Sequence, residues 1–296
     1  IMAAADFEGS KNFLITSSKY SSFDLIGLYS EKLRGMIKRE AASKEDYEHP
    51  LKGLHIAVDA GNGAGGFFAS EVLEALGADI SGSQFLEPDG RFPNHIPNPE
   101  NKEAMASICR AVVSSGADMG IIFDTDVDRM SAVFSDGSPV NRDACIALAS
   151  AIEAPLHKGA TIVTDSVSSD RLTDFLENSL GMKHLSYKRG YKNVINKCKE
   201  LNAAGIDCPL AMETSGHGCM KENYYMDDGS YLAVKFIIAL AKNKDLPLLI
   251  KDFKMDFSDR EVRFKISADD FASYGESVLE SFKKEAVSRK YRIPEV

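Results

Sequence analysis

The chain has 296 residues, a formal net charge of -9, 44% hydrophobic and 27% charged residues, no Trp and five Cys. This length exceeds the usual single domain and predicts about two. The acidic balance argues against a general nucleic-acid or anionic-membrane binder while allowing a local basic pocket for a phosphorylated small molecule, and no apolar run reaches the roughly 18 residues that span a bilayer.

In chain order, "IMAAADFEGS" has neither the charged n-region nor the cleavage site of a signal peptide, and residues 1–22 read as the tail of something preceding. "SSFDLIGLYSEKLRGMIKRE" predicts a helix capped by Ser22 or Asp24. "LKGLHIAVDAGNGAGG", from Leu51, reads as strand, tight turn and helix start. Its Gly61, Gly63 and Gly66 stand in G-x-G-x-x-G order, but Asp59 before the first Gly, and no clear acidic strand end about 20 residues on, argue against NAD. A turn that caps a helix is the better reading. "FFASEVLEALGA" and "ENKEAMASICRAVVSSGA" carry apolar residues at helical spacing, and "GADMGIIFDTD" is an apolar run ending in an acidic loop at Asp124.

The pattern then repeats. "HKGATIVTDSVSSDRL", from His157, is again strand, turn and helix start, and "GIDCPLAMETSG" again ends an apolar run in an acid, Glu213. The separations differ, so the topology is duplicated rather than the sequence. "YLAVKFIIALA", interrupted by Lys235, reads as a core helix; "MDFSDREVRFKI" reads as a strand, with a helix around "DDFASYGESVLESFKKEAV". The expected fold class is α/β: two tandem related α/β domains with mixed, mostly parallel sheets and flanking helices, plus partial flanking domains. The expected divisions are 1–22, 23–150, 151–253 and 254–296. The cysteines, Cys109, Cys145, Cys198, Cys208 and Cys219, are scattered without a CxxC pair, and there is no Asn-x-Ser/Thr sequon. Both features point to a reduced, intracellular compartment, with cytoplasm and plastid stroma not distinguished.

Two motifs carry chemistry. In "IIFDTDVDRMSAVFSDG", Asp124, Asp126 and Asp128 alternate, so in an extended loop they share a face. Hard carboxylate oxygens select Mg²⁺, Mn²⁺ or Ca²⁺, and Arg129 beside them suits a phosphoryl oxygen. An EF-hand fails, because Arg129 and Ser135 stand where Gly and Glu are needed. A phosphatase with Asp124 as nucleophile and a plain solvated acidic loop stay open. In "AMETSGHGCMKENYYMDDGSYLA", Glu213, Ser215 and His217 alternate likewise, an acceptor, a hydroxyl and an imidazole suited to a polyol; an ordinary polar turn is the competing reading. "YKRGYKNVINK" groups Lys188, Arg189 and Lys192 around Gly190, a phosphate or sugar contact or a basic surface turn.

Taken together, "VDAGNGAGG", "PDGRFPNHIPNPENKEAM", "FDTDVDRMSAVFSDG", "YKRGYKNVI" and "METSGHGCMKENYYMDDGSYLA" resemble the α-D-phosphohexomutase family, the phosphoglucomutases and phosphomannomutases, in family order. The resemblance covers the end of a first domain, all of domains II (23–150) and III (151–253), and the opening of domain IV. It implies Mg²⁺ on Asp124, Asp126 and Asp128, with Arg129 as the catalytic cation beside the phosphoryl group. It also implies substrate contacts from Glu213, Ser215, His217, Lys188, Gly190 and Tyr191. The implied activity is Mg²⁺-dependent transfer between the 1- and 6-positions of a hexose phosphate through a phosphoserine. The alternative is a non-catalytic relative that is structural or binds sugar phosphate. Three departures stand out: Thr125 and Val127 replace small residues of the metal loop, "DSVSSDR" lacks a basic residue some members carry, and neither a Thr-x-Ser-His-Asn-Pro nor an Arg-x-Ser-Gly-Thr loop occurs. His217 makes the sugar loop look more like the phosphomannomutase and dual-specificity branch. No nucleic-acid or membrane partner is expected.

Overall fold

A computed structural model of the chain describes residues 22–253, apart from 42, 44, 45 and 244, together with 267 and 269–290. The expected tail, except Ser22, and the strand expected at "MDFSDREVRFKI" lie outside the described residues. Helix α1 (Leu25–Ala41) begins where Asp24 Oδ1 accepts from Gly27 N at 2.9 Å, so Asp24 is the cap of the two candidates. Strand β1 (Ile56–Asp59), helix α2 (Lys102–Ser115), and strands β2 (Met119–Phe123), β3 (Met130–Phe134) and β4 (Pro139–Val140) complete the first unit. The Asn101 side chain caps α2 by accepting from the amides of Glu103 and Ala104.

The second unit holds α3 (Asp143–Glu153), β5 (Thr161–Asp165), α4 (Asp170–Asp174), β6 (Lys183–Tyr187), α5 (Tyr191–Ala203), β7 (Leu210–Met212), β8 (Gly218–Met220) and α6 (Gly229–Asn243). A later helix, α7 (Phe271–Ser288), covers the expected stretch. Both sheets are mixed. In the first, ordered β1-β2-β3-β4, the parallel β1–β2 pair is extended by parallel bridges from His55 to Asp79 and from Asp59 to Gln84. The second is ordered β6-β5-β7-β8, with both β5 pairings parallel and β7–β8 antiparallel.

One expected α-helix is wound differently. "FFASEVLEALGA" forms a wide π segment, Phe68–Leu73, then a 3₁₀ turn, Glu74–Leu76. Apolar spacing dictates which residues face inward, and Phe68, Ala69, Val72, Leu73 and Leu76 are all buried, but it is insensitive to pitch.

The two units share one core. A single apolar cluster joins Leu33 of α1, Ile56, Phe123, Ala132, Ala147, Ile162, Leu210 and Phe236. Helices α3 and α6 are apolar on nearly every side because they lie between the sheets: α6 packs on α1 and β3 of the first unit and on α3 and β8 of the second. Lys235 is the exception within α6. It is 5% exposed and pairs with Glu153 at 3.0 Å and Glu222 at 2.8 Å, while Glu153 is 1% exposed. Burial raises the Glu153 pKa and the Lys235 charge works against that rise. Substituting Lys235→Met leaves the buried Glu153 carboxylate with His157 Nε2, at 3.6 Å, in place of a fixed cation and should cost ~3–5 kcal/mol in chemical denaturation. Adding Glu153→Leu should recover most of it; equal losses in both variants would contradict the pairing.

Candidate functional site

Antiparallel pairing of Phe123 with Met130 folds residues 124–129 into a tight loop at the carboxyl end of β2. Asp124, 1% exposed, closes it: Oδ1 accepts from Arg129 N at 3.1 Å and Oδ2 from Arg129 Nε at 2.9 Å. The glycine turn packs behind this loop. Ala64 N donates to Thr125 O at 2.9 Å, and a Cβ on Gly63 would stand 2.7 Å from the same oxygen. Gly63 therefore serves close backbone approach to the acidic loop. The strand before it is anchored by Asp59, fully buried, whose carboxylate faces His95 Nε2 at 3.0 Å and accepts from Gln84 Nε2 at 2.7 Å.

Carboxylate oxygens of Asp124, Asp126 and Asp128 all lie within 4.8 Å of one another. Asp128 Oδ1 is buried without a hydrogen-bond partner, 3.6 Å from His217 Nδ1 and 3.7 Å from Arg129 Nε. Burial pushes the Asp128 carboxyl up to about 6; His217 opposes this and the neighbouring acids add to it. Three converging acids with an orphaned oxygen make a hard anionic donor set, which fits Mg²⁺ or Mn²⁺ and not a soft metal. Val127 takes a left-handed φ of 69°, and its carbonyl accepts from Gly229 N at 3.0 Å, so the start of α6 holds the loop from the other unit.

The second loop leaves β7. Glu213 is 4% exposed; its Oε1 accepts from Gly190 N at 2.6 Å and its backbone N donates to His217 O at 2.8 Å. The Glu213 carboxylate thus anchors the neighbouring loop as well as standing beside Ser215, whose Oγ donates to Oε2 at 3.4 Å. Gly216 has φ +100°, and a Cβ there would meet Met130 O at 3.0 Å, so glycine lets this loop lie against the acidic one. The two loops join through an antiparallel bridge between Arg129 and His217.

His217 has partners on two sides. Its ring stacks on Tyr191, centroids 5.0 Å apart and planes at 22°, and Nδ1 lies 2.8 Å from Asp227 Oδ2. Donation from Nδ1 to this carboxylate leaves Nε2 as the nitrogen that can meet a ligand. Burial disfavours its charge, but Asp227 and Asp128 outweigh it and raise the His217 pKa. Asp227, which also accepts from Gly218 N at 2.9 Å, carries no signal of its own in the sequence beyond standing in "MDDGSYLA". Its neighbour Asp228 accepts from Tyr29 of α1 at 2.6 Å, tying α1 to the start of α6.

The structure therefore brings Asp124, Asp126, Asp128, Arg129, Glu213, Ser215, His217, Gly190 and Tyr191 together. Lys188 sits on the exposed loop before Gly190, with Nζ 5.8 Å from the Tyr187 ring centre.

Residues 29–137 match the family description "Phosphoglucomutase/phosphomannomutase, alpha/beta/alpha domain II", and residues 141–255 match its domain III. A phosphomannomutase/phosphoglucomutase of Pseudomonas putida is 35% identical over 218 residues, 73% of this chain and 46% of that protein. A crystal structure of a phosphoglucomutase/phosphomannomutase family protein from Burkholderia thailandensis superposes with a TM-score of 0.65 at 30% identity, covering 79% of this chain and 48% of its own. An N-acetylphosphoglucosamine mutase of Aspergillus fumigatus, solved with GlcNAc-6P and magnesium, shares the fold at 17% identity, with a TM-score of 0.59 over 93% of this chain and 65% of that one. The chain spans about half the length of the curated relatives it matches.

Two outcomes follow from this geometry. Gly63→Ala forces Thr125 O aside and should cost about 1–3 kcal/mol in thermal or chemical unfolding, with weaker Mn²⁺ binding by calorimetry; unchanged unfolding would show that the turn does not bear on the loop. Asp165, fully buried at the end of β5, accepts from Thr214 N and Oγ1, and burial pushes its carboxyl up to about 6. A raised acid pKa favours the fold when protonated, so its contribution is complete below about pH 4 and is lost as pH rises through about 6. Against Asp165→Asn, the unaltered chain should lose ~3 kcal/mol between pH 3 and 7; parallel pH profiles would contradict the shift.

Proposed function

This chain belongs to the phosphoglucomutase/phosphomannomutase family, and from that premise we propose that it forms domains II and III of a Mg²⁺-dependent phosphohexomutase, flanked by parts of domains I and IV. The reaction is interconversion of hexose 1- and 6-phosphates, with the phosphoryl group carried by a serine outside these 296 residues. The observation that carries the proposal is the bridge between Arg129 and His217, which joins the acidic loop after β2 to the loop after β7.

Asp124, Asp126 and Asp128 would hold Mg²⁺, which when bound supplies charge neutralisation beside a transferring phosphoryl group. Arg129 spends N and Nε on Asp124, which orients its terminal nitrogens as donors to phosphoryl oxygens. His217, fixed by Asp227 and Tyr191, offers Nε2 to a sugar hydroxyl, and Ser215 offers its Oγ. Glu213 binds the Gly190 amide and so sets the position of Tyr191 and Lys188, the latter a point charge for a substrate phosphate. Rate enhancement then rests on positioning and fixed charge rather than on a nucleophile in this chain.

The test is conversion of glucose 1-phosphate and mannose 1-phosphate by the complete protein with Mg²⁺ and a bisphosphate activator. Turnover is expected, and Asp126→Ala should lower it at least about a hundredfold, the scale of removing one electrostatic stabiliser, with little change in metal-free unfolding because Asp126 is exposed. Unaltered turnover in that variant would refute the metal assignment. Sugar-phosphate binding without turnover by the complete protein would favour a non-catalytic relative.

A further inference from the structure

Three of the five cysteines, which are scattered in sequence, converge in the second unit. Cys198 on α5, Cys208 just before β7 and Cys219 on β8 are each 0% exposed and belong to one small cluster with Val163, Val194 and Ala211. All three are free thiols. Cys198 Sγ donates to Cys208 O at 3.3 Å, and Cys208 Sγ donates to Leu210 O at 3.6 Å.

Asn202, one turn further along α5, clamps the arrangement. Its Nδ2 donates to Cys208 O at 2.8 Å and to Cys198 O at 3.0 Å and lies 3.7 Å from Cys198 Sγ, while Cys208 N donates to its Oδ1 at 3.3 Å. The neighbouring Cys208 and Cys219 side chains hold the Cys198 pKa below the ordinary thiol range, which favours it as the attacking thiol of the trio. Cys145 provides the contrast. It is also buried, its Sγ donates to Met130 Sδ at 3.9 Å, and burial alone pushes it up to about 12.

Two chemistries suit clustered thiols, a soft metal and a disulfide. The trio is not among the described side-chain groups compact enough to share one ion, which leaves a bond between two of the three as the chemistry to test. The three sulfurs are fully buried, while residues 203–206, immediately before Cys208, are exposed, and local opening of that turn is the route by which a small oxidant would reach them.

We propose that Cys198 forms a reversible intrachain disulfide with Cys208 or Cys219 when a hydroperoxide reaches this cluster. The Cys198 thiolate attacks the peroxide, breaking the O–O bond and giving a sulfenic acid and one water or alcohol. The second thiol then displaces the sulfenic oxygen as water and forms the S–S bond. Two thiols are oxidised by two electrons and one peroxide is reduced. The bond ties α5, whose first turn follows the Lys188–Tyr191 loop, to the β7 and β8 strands that flank Glu213 and His217.

The test does not depend on mutase activity. The reduced chain is treated with a modest molar excess of hydrogen peroxide, quenched, denatured, alkylated and mapped by mass spectrometry without reduction. The expected result is a peptide containing Cys198 linked to the segment carrying Cys208 and Cys219, with Cys145 fully alkylated and all five thiols restored by dithiothreitol. Cys198→Ser should abolish the link and Cys109→Ser should leave it, while Cys208→Ser and Cys219→Ser identify the partner. Recovery of Cys198, Cys208 and Cys219 as free thiols would overturn the proposal, as would their conversion only to sulfinic or sulfonic acids. Should Cys198→Ser fail to fold, persistence of the linked peptide in both the Cys208→Ser and the Cys219→Ser variants, each with one partner left, would still support it, and its loss from both would count against it.

Discussion

The main-chain bridge between Arg129 and His217 is the contact on which the rest of the arrangement depends. It joins two loops that leave the carboxyl ends of strands in different sheets, so neither sheet alone makes a site. Asp128 Oδ1 is buried beside this bridge and lacks a hydrogen-bond partner, a position that costs free energy unless a cation compensates it. The nearest cationic side chains, His217 and Arg129, stand 3.6 and 3.7 Å away, beyond hydrogen-bond reach.

Holding two loops that closely requires the units not to move apart. The shared core provides this, since α6 packs on α1 and β3 as well as on α3 and β8. Gly229 at the start of α6 binds Val127 O, and Asp228 beside it receives the Tyr29 hydroxyl from α1. The same helix that fills the core therefore fixes the acidic loop from behind. Its one internal charge, Lys235, is retained through Glu153 and Glu222.

Much of this was legible in the chain. Alternating Asp124, Asp126 and Asp128 signal a shared face because period two is local, and the duplicated strand and helix pattern signals two related units for the same reason. Asp227 was not legible: its adjacency to Asp228 gives no indication which acid meets His217 and which meets Tyr29. The pitch of Phe68–Leu76 was hidden because burial periodicity tolerates a wider or tighter turn. Nor could the spacing of Cys198, Cys208 and Cys219 show that α5 lays the first against the other two, and the anchoring role of Glu213 on Gly190 needed the fold. Gly63 reads in the sequence only as part of a helix-capping turn, because glycine marks close approach without naming what approaches.

The central claim is that a divalent ion binds on the acidic loop, beside the His217 loop. Paramagnetic broadening by Mn²⁺ of the His217 and Tyr191 ring resonances tests it most directly. The structure predicts strong broadening of both at substoichiometric Mn²⁺, reversed by excess Mg²⁺ and absent in Asp126→Ala. Broadening that spares both rings, or that persists in Asp126→Ala, would contradict it.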